Sequence, residues 1–178
     1  MKRILILGLL LLSVSILQAQ QAPRPFIGTY TVSLTRPGNS TAYTAADVVN
    51  SATARASLFT TDWKKGAVSG GTLVVDTLNA TNGTFRLLLL KDTTGVNGIT
   101  DNAAFSPTPA VLRNIVGVVD FTLVVTGTSS ATGTYAVNRD FKAYFSGATG
   151  LYGILTASAA WVPDSAGVVT IGITVAPD

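Results

Sequence analysis

Residues 145–161 read FSGATGLYGILTASAAW, a run without a single charge in which Gly, Ala, Ser and Thr are set among a few large apolar side chains. From Gly153 onward, Leu155, Ala157, Ala159 and Trp161 fall on one face of a strand, and Ile154, Thr156, Ser158 and Ala160 on the other. Whichever face turns inward, its middle is made of small side chains. A small barrel uses such a wall to fit its taper, with the interior filled. A wider barrel uses it to leave room for one ligand. Both builds remain open at this point. Leu155, Ala157, Ala159 and Trp161 are therefore candidate ligand-cavity residues. Tyr135 and Arg139 of the preceding strand join them. Tyr135, Val137 and Phe141 share an apolar face that Arg139 interrupts, either as a buried hook for an anionic ligand or as a strand-end group reaching water.

Period-two alternation recurs on both sides of this stretch. FIGTYTVSLT (26–35) places Tyr30, Val32 and Leu34 on one face and Thr29, Thr31, Ser33 and Thr35 on the other. VVTIGITVA (168–176) aligns Val169, Ile171, Ile173 and Val175. Between them, GTLVVDTL (71–78) and TFRLLLLK (84–91) flank the turn signal Asn82-Gly83. RNIVGVVDFTLVVTG (113–127) and TYAVNRDFKAYF (134–145) add two more strands. TAADVVNSATARASLF breaks the pattern. Thr44 with Asp47 suits a helix N-cap, and Val48, Val49, Ala52, Ala56 and Phe59 recur at helical spacing. The expectation is an all-β fold: a single antiparallel barrel of about seven or eight strands, with a sandwich as the alternative and one short helix near 44–58.

The first twenty residues have the three parts of a secretory signal: Lys2-Arg3, the apolar run from Ile4 to Leu12, and a polar exit around Ala19 and Ala22. The expectation is a bacterial-type signal peptide over 1–20 and one secreted or periplasmic β domain over 21–178. The apolar run falls short of the ~20 residues that a spanning helix needs, so no membrane span is expected after cleavage. Without Lys2 and Arg3, ten basic residues face nine acidic ones. The basic residues are scattered, so no nucleic-acid footprint is expected. Heavy use of Thr (25 positions) with few charges favours strands, and hints at surface covered by homo-oligomer contacts or a cell surface.

The chain contains no His, no Cys and no Glu. Zinc, copper and haem sites lose their usual ligands, and Ser-His-Asp and Cys-His catalysis have no base. The expectation is no cofactor. Asp92, Asn97, Asp101 and Asn102 in DTTGVNGITDN supply hard oxygen atoms of the kind calcium takes, without EF-hand spacing, and the same residue types are ordinary turn formers. Asp76 in VVDTL and Asp120 in VVDFT lack the Gly of an aspartic-protease motif.

One resemblance rests on the closing segment. The strand, the SGATGLYG turn with Gly147, Thr149, Gly150, Tyr152 and Gly153, the small-residue strand and the final alternating strand resemble the allene oxide cyclase and dirigent-like secreted barrels. The resemblance covers about the last 45 residues. It implies an eight-stranded antiparallel barrel, often trimeric, with an apolar cavity. A chain without Glu or His lacks most of the polar groups such an enzyme employs. The expected role is a non-catalytic binding or structural module, with a small apolar ligand in the barrel. A cyclase- or dirigent-like enzyme guided by cavity shape, and a cell-surface adhesin or coat component, are the alternatives.

Overall fold

The computed structural model describes residues 27–51, 55–60, 62–76, 81–97, 99–125, 134–138, 142–163 and 165–177. The proposed signal segment and Arg139 lie outside them. The elements are β1 (Gly28–Thr35), β2 (Val48–Val49), β3 (Ser57–Thr60), β4 (Lys65–Asp76), β5 (Gly83–Leu90), α1 (Pro109–Asn114), β6 (Ile115–Val125), β7 (Thr134–Asn138), β8 (Ala143–Ser146), β9 (Leu151–Ala157) and β10 (Val168–Pro177).

The strands pair antiparallel along one path, β1-β10-β4-β7-β6-β5-β9-β2, with β3 also on β9 and β8 also on β4. β6 is long enough to serve both halves: its Gly117–Leu123 stretch pairs with β5, and Val124 and Val125 pair with β7. The path folds over there, so that the β1-β10-β4 half faces the β6-β5-β9 half. Gly71 of β4 marks the contact, since a Cβ on it would meet the Phe121 ring at 2.9 Å and Val119 at 3.3 Å.

The alternation predicted for the first and last strands of the chain is present. Leu34 of β1 and Val169, Ile171, Ile173 and Val175 of β10 enter the main core with Leu73, Phe85, Leu87, Leu89, Phe121 and Leu155. Thr29, Thr31, Ser33 and Thr35 stay exposed. The LLLL run of β5 serves two cores, with Leu88 only half-buried. Leu87 and Leu89 join the main core, while Leu90 joins a second cluster with Val48, Ile99, Val111 and Ile154.

Three expectations are corrected. A closed barrel is not found among the described residues. The ladder ends at β1 on one side and at β2 and β3 on the other. Those two segments, of two and four residues, cap β9 without forming the full strand that closure onto β1 would need. The arrangement matches the sandwich alternative, and the described residues hold ten strands in place of seven or eight.

The helix near 44–58 is absent, with 52–54 outside the described residues. Thr44 and Asp47 do form the predicted clip: the Thr44 N–H and hydroxyl donate to Asp47 Oδ2 at 2.5 and 2.9 Å. Ala46, however, leaves the turn at φ 72°, and the β-branched pair Val48-Val49 finds ladder partners in Thr156 and Leu155. The helix forms instead at Pro109–Asn114, where Thr108 caps it by accepting the Val111 N–H at 3.4 Å and Pro109 sits in the first turn.

The strand read over 153–162 also ends early. β9 stops at Ala157, Ser158 to Ala160 are exposed, and Trp161 returns to bridge Tyr43.

Candidate functional site

β9 answers the question raised by its small residues. The side from which Gly153 and Leu155 face the core is packed. A Cβ on Gly153 would lie 2.6 Å from Phe59 Cε2 and 2.8 Å from Leu87 Cδ1. The gap bounded by Leu34, Val49, Gly153 and Leu155 has about 0 Å³ open to a water molecule. The small side chains make room for large ones on β3 and β5. Of the cavity candidates, Leu155, Ala157 and Trp161 are buried in the main core, and Ala159 is exposed in the following turn. Tyr135 lies in β7, in register between Val74 and Val124, both of which are exposed.

A buried polar cluster sits at the end of the same core. Arg36, just past β1, is fully buried, and its Nε donates to the Tyr43 hydroxyl. That hydroxyl donates to Asp101 Oδ1 at 2.6 Å, and the same oxygen accepts the Asn50 N–H at 2.8 Å. Arg36 Nη2 lies 3.5 Å from Asp101 Oδ2. The Arg36 guanidinium is 4.7 Å from the Tyr43 ring centre and 5.8 Å from that of Trp161; Tyr43 and Trp161 stack at 5.4 Å. Trp161 also meets Phe85 edge-on, and its Nε1–H finds no acceptor among the described residues.

Sequence spacing gives no hint of this cluster, because its members lie on four separate segments. Its chemistry is structural. The guanidinium, phenol and carboxylate satisfy one another out of water, as buried charges require.

Burial, followed by the hydrogen bond to Asp101, pushes the Tyr43 phenol far above its ordinary value near 10. In the unfolded chain that phenol ionises near its ordinary value, while in the folded chain it keeps its proton. Stability should therefore fall as pH rises above 10, because only the unfolded state loses the proton. In urea melts between pH 8 and 11.5, Tyr43→Phe is expected to be less stable throughout but to show a shallower alkaline decline. Parallel declines would contradict this assignment.

The opposite face of β9 carries a groove. Ala45, Ala46, Arg86, Leu88, Phe105, Thr156, Ala157 and Ser158 line a half-open space of about 410 Å³. Its floor is the outer face of β5 and β9, where Arg86 is in register with Thr156. One wall is the Thr44–Asp47 turn. Ala46 N–H donates to Ala157 O at 2.8 Å, and Phe105 N–H donates to Ala46 O at 2.9 Å, so wall and floor are laced together.

At the floor, Arg86 Nε and Nη2 donate to Asp120 Oδ1 and Oδ2 at 2.7 and 3.2 Å, across the β5–β6 register. This bond raises the Arg86 pKa above its ordinary value. The pair is open to solvent, which is where a ligand could reach it. The sequence offered Arg86 and Asp120 only as strand residues. Their pairing, and Phe105 opposite the turn, come from register and loop path.

The four loop residues considered for calcium go different ways. Asp92 accepts the Thr94 hydroxyl and N–H at 2.7 and 2.6 Å, and these bonds hold its carboxyl below the ordinary range. Asn97 is exposed. Asp101 belongs to the Arg36 cluster. Asn102, its amide nitrogen turned inward, reaches Asp47 Oδ2 and Ala42 O at 3.2 Å each. Among the described residues, no three acidic side chains gather as a metal site would need. Nor is any described helix long and apolar enough to cross a membrane.

The sequence matches no family model and no curated protein. Among solved structures, the chain is similar to the capsid asymmetric unit of cyanophage Pam1, at 17% identity over 88% of this chain and 89% of that one, with a TM-score of 0.34. It is similar to the tomato aspermy virus structure at 13% identity, over 94% of each chain, with a TM-score of 0.34. For Desmodium yellow mottle tymovirus the figures are 15%, 86% and 83%, and 0.32. Likeness at this level carries no functional argument.

Proposed function

We propose that this chain is an exported, non-catalytic binding module that meets its ligand on its outer face. The observation that carries this reading is the packing behind β9, where Phe59 and Leu87 occupy the space an interior ligand would need. The dirigent-like alternative requires a shaped cavity on that side. The groove over β5 and β9 is a concave surface on the described residues, and it holds a few polar groups among apolar ones, as small-ligand sites do. The reading is tested by a crystallographic soak with a library of small polar and apolar fragments. Occupancy in the groove is the expected result; a fragment lodged between Gly153, Phe59 and Leu87 would overturn it.

One observation favours a second reading, a structural role through self-association. Among the described residues, β1 ends the ladder as an eight-residue strand with unbroken register to β10 and neither Lys nor Pro within it. Natural edge strands usually carry such guards. On this reading the wild-type protein sediments as an oligomer and Thr31→Lys shifts it to monomer. A wild-type monomer across the micromolar range would remove it.

A further inference from the structure

We propose that the groove over β5 and β9 binds a neutral saccharide; this rests on the outer-face reading above and names its ligand class.

Three features select that chemistry. The first is charge. Among the described residues lining the groove, Arg86 is the one that is charged, and Asp120 already holds it through two hydrogen bonds. The pair carries no net charge with which to attract a phosphate or carboxylate. It does present guanidinium donors beside carboxylate acceptors, held together by two hydrogen bonds, and adjacent sugar hydroxyls both donate and accept.

The second is the wall. Phe105, Leu88, Ala45 and Ala46 give the groove an apolar surface beside Arg86 and Ser158. A pyranose ring has the same two-sided character, with C–H groups on its faces and hydroxyls around its rim. A wholly apolar ligand would leave the ion pair facing hydrocarbon, and an extended peptide would find no backbone partner. β5 is an inner strand whose main chain is paired with β6 and β9.

The third is rigidity. The turn carrying Ala45 and Ala46 is clipped by Thr44 to Asp47 and tied to both Ala157 and Phe105. A wall already fixed loses little freedom on binding, which weakly binding sugars need. Ala46 holds φ 72° within that wall, a conformation that persists only where the surroundings enforce it.

The test is an array of neutral oligosaccharides (glucans, mannans, galactans and chitin oligomers) probed with the full chain and three variants. Ser158→Trp fills the groove from an exposed position. Phe105→Leu keeps the apolar bulk and removes the ring face. Asp120→Asn removes the acceptor charge. The expected result is binding to at least one glycan class, weakened tenfold or more by Ser158→Trp and by Phe105→Leu. Asp120→Asn weakens it as well, and affinity changes less than twofold between 50 and 500 mM salt.

No glycan binding, or binding unmoved by Ser158→Trp, overturns the proposal. So does a ligand whose affinity collapses with salt, which marks an anion. The fragment soak separates the two levels: a non-sugar fragment in the groove sinks the saccharide alone, and one in the interior sinks the outer-face reading too.

Discussion

Asp101→Ala is expected to lower the unfolding free energy by about 3–5 kcal/mol, the cost typical of breaking a buried ion pair from one side. Asp101 accepts from Arg36, Tyr43 and Asn50, which lie within one fifteen-residue stretch some fifty or more residues before it. Its removal leaves a guanidinium in the core without its carboxylate, and takes the acceptor from a phenol and a backbone N–H. Asp101→Asn keeps an acceptor but no charge and should lose less. Replacing Arg36 and Asp101 together by Met and Leu should lose less than the two single changes added, because neither charge is left buried without the other. Urea denaturation of these five variants, the two single changes Arg36→Met and Asp101→Leu included, measures this directly. A loss under 1 kcal/mol for Asp101→Ala would mean the cluster is solvated.

Gly153 carries the second large effect. Gly153→Ala is expected to cost about 1–3 kcal/mol, the usual penalty of overpacking a filled core, because its new methyl would press on Phe59 and Leu87. Gly153→Leu should prevent stable folding. Ala159→Leu, on the exposed turn two residues beyond β9, should change stability by no more than about 0.5 kcal/mol. A wall lining an empty cavity would tolerate all three alike, so thermal melts of this set distinguish packing from cavity.

These two positions also show where the sequence was readable and where it was not. β1 and β10 could be read residue by residue, because one face of each strand is apolar and the other is Thr or Ser, and burial follows that alternation. The 44–58 segment misled because the Thr44/Asp47 clip is the same in one turn as at the start of a helix. What diverts the chain is Ala46 at positive φ and the ladder that Val48 and Val49 find on β9, a contact about a hundred residues away in sequence. The real helix was signalled by Thr108-Pro109, but its last residues, Arg113 and Asn114, were read as the start of the next strand.

The small residues of β9 told of close approach without telling what approached. Their partners are Phe59 and Leu87, on strands whose order only the ladder reveals. The groove was least legible of all. Arg86 and Asp120 meet through register, and Ala46 and Phe105 through two backbone hydrogen bonds, none of which leaves a local pattern.

The central claim is that the interior is packed and that binding belongs to the outer face. Native mass spectrometry of the protein purified without denaturation tests it most directly. The account predicts the polypeptide mass or whole multiples of it, with no lipophilic molecule retained under conditions that strip surface-bound sugars. A reproducible apolar adduct that disappears in Gly153→Ala would place a ligand behind β9 and contradict the account.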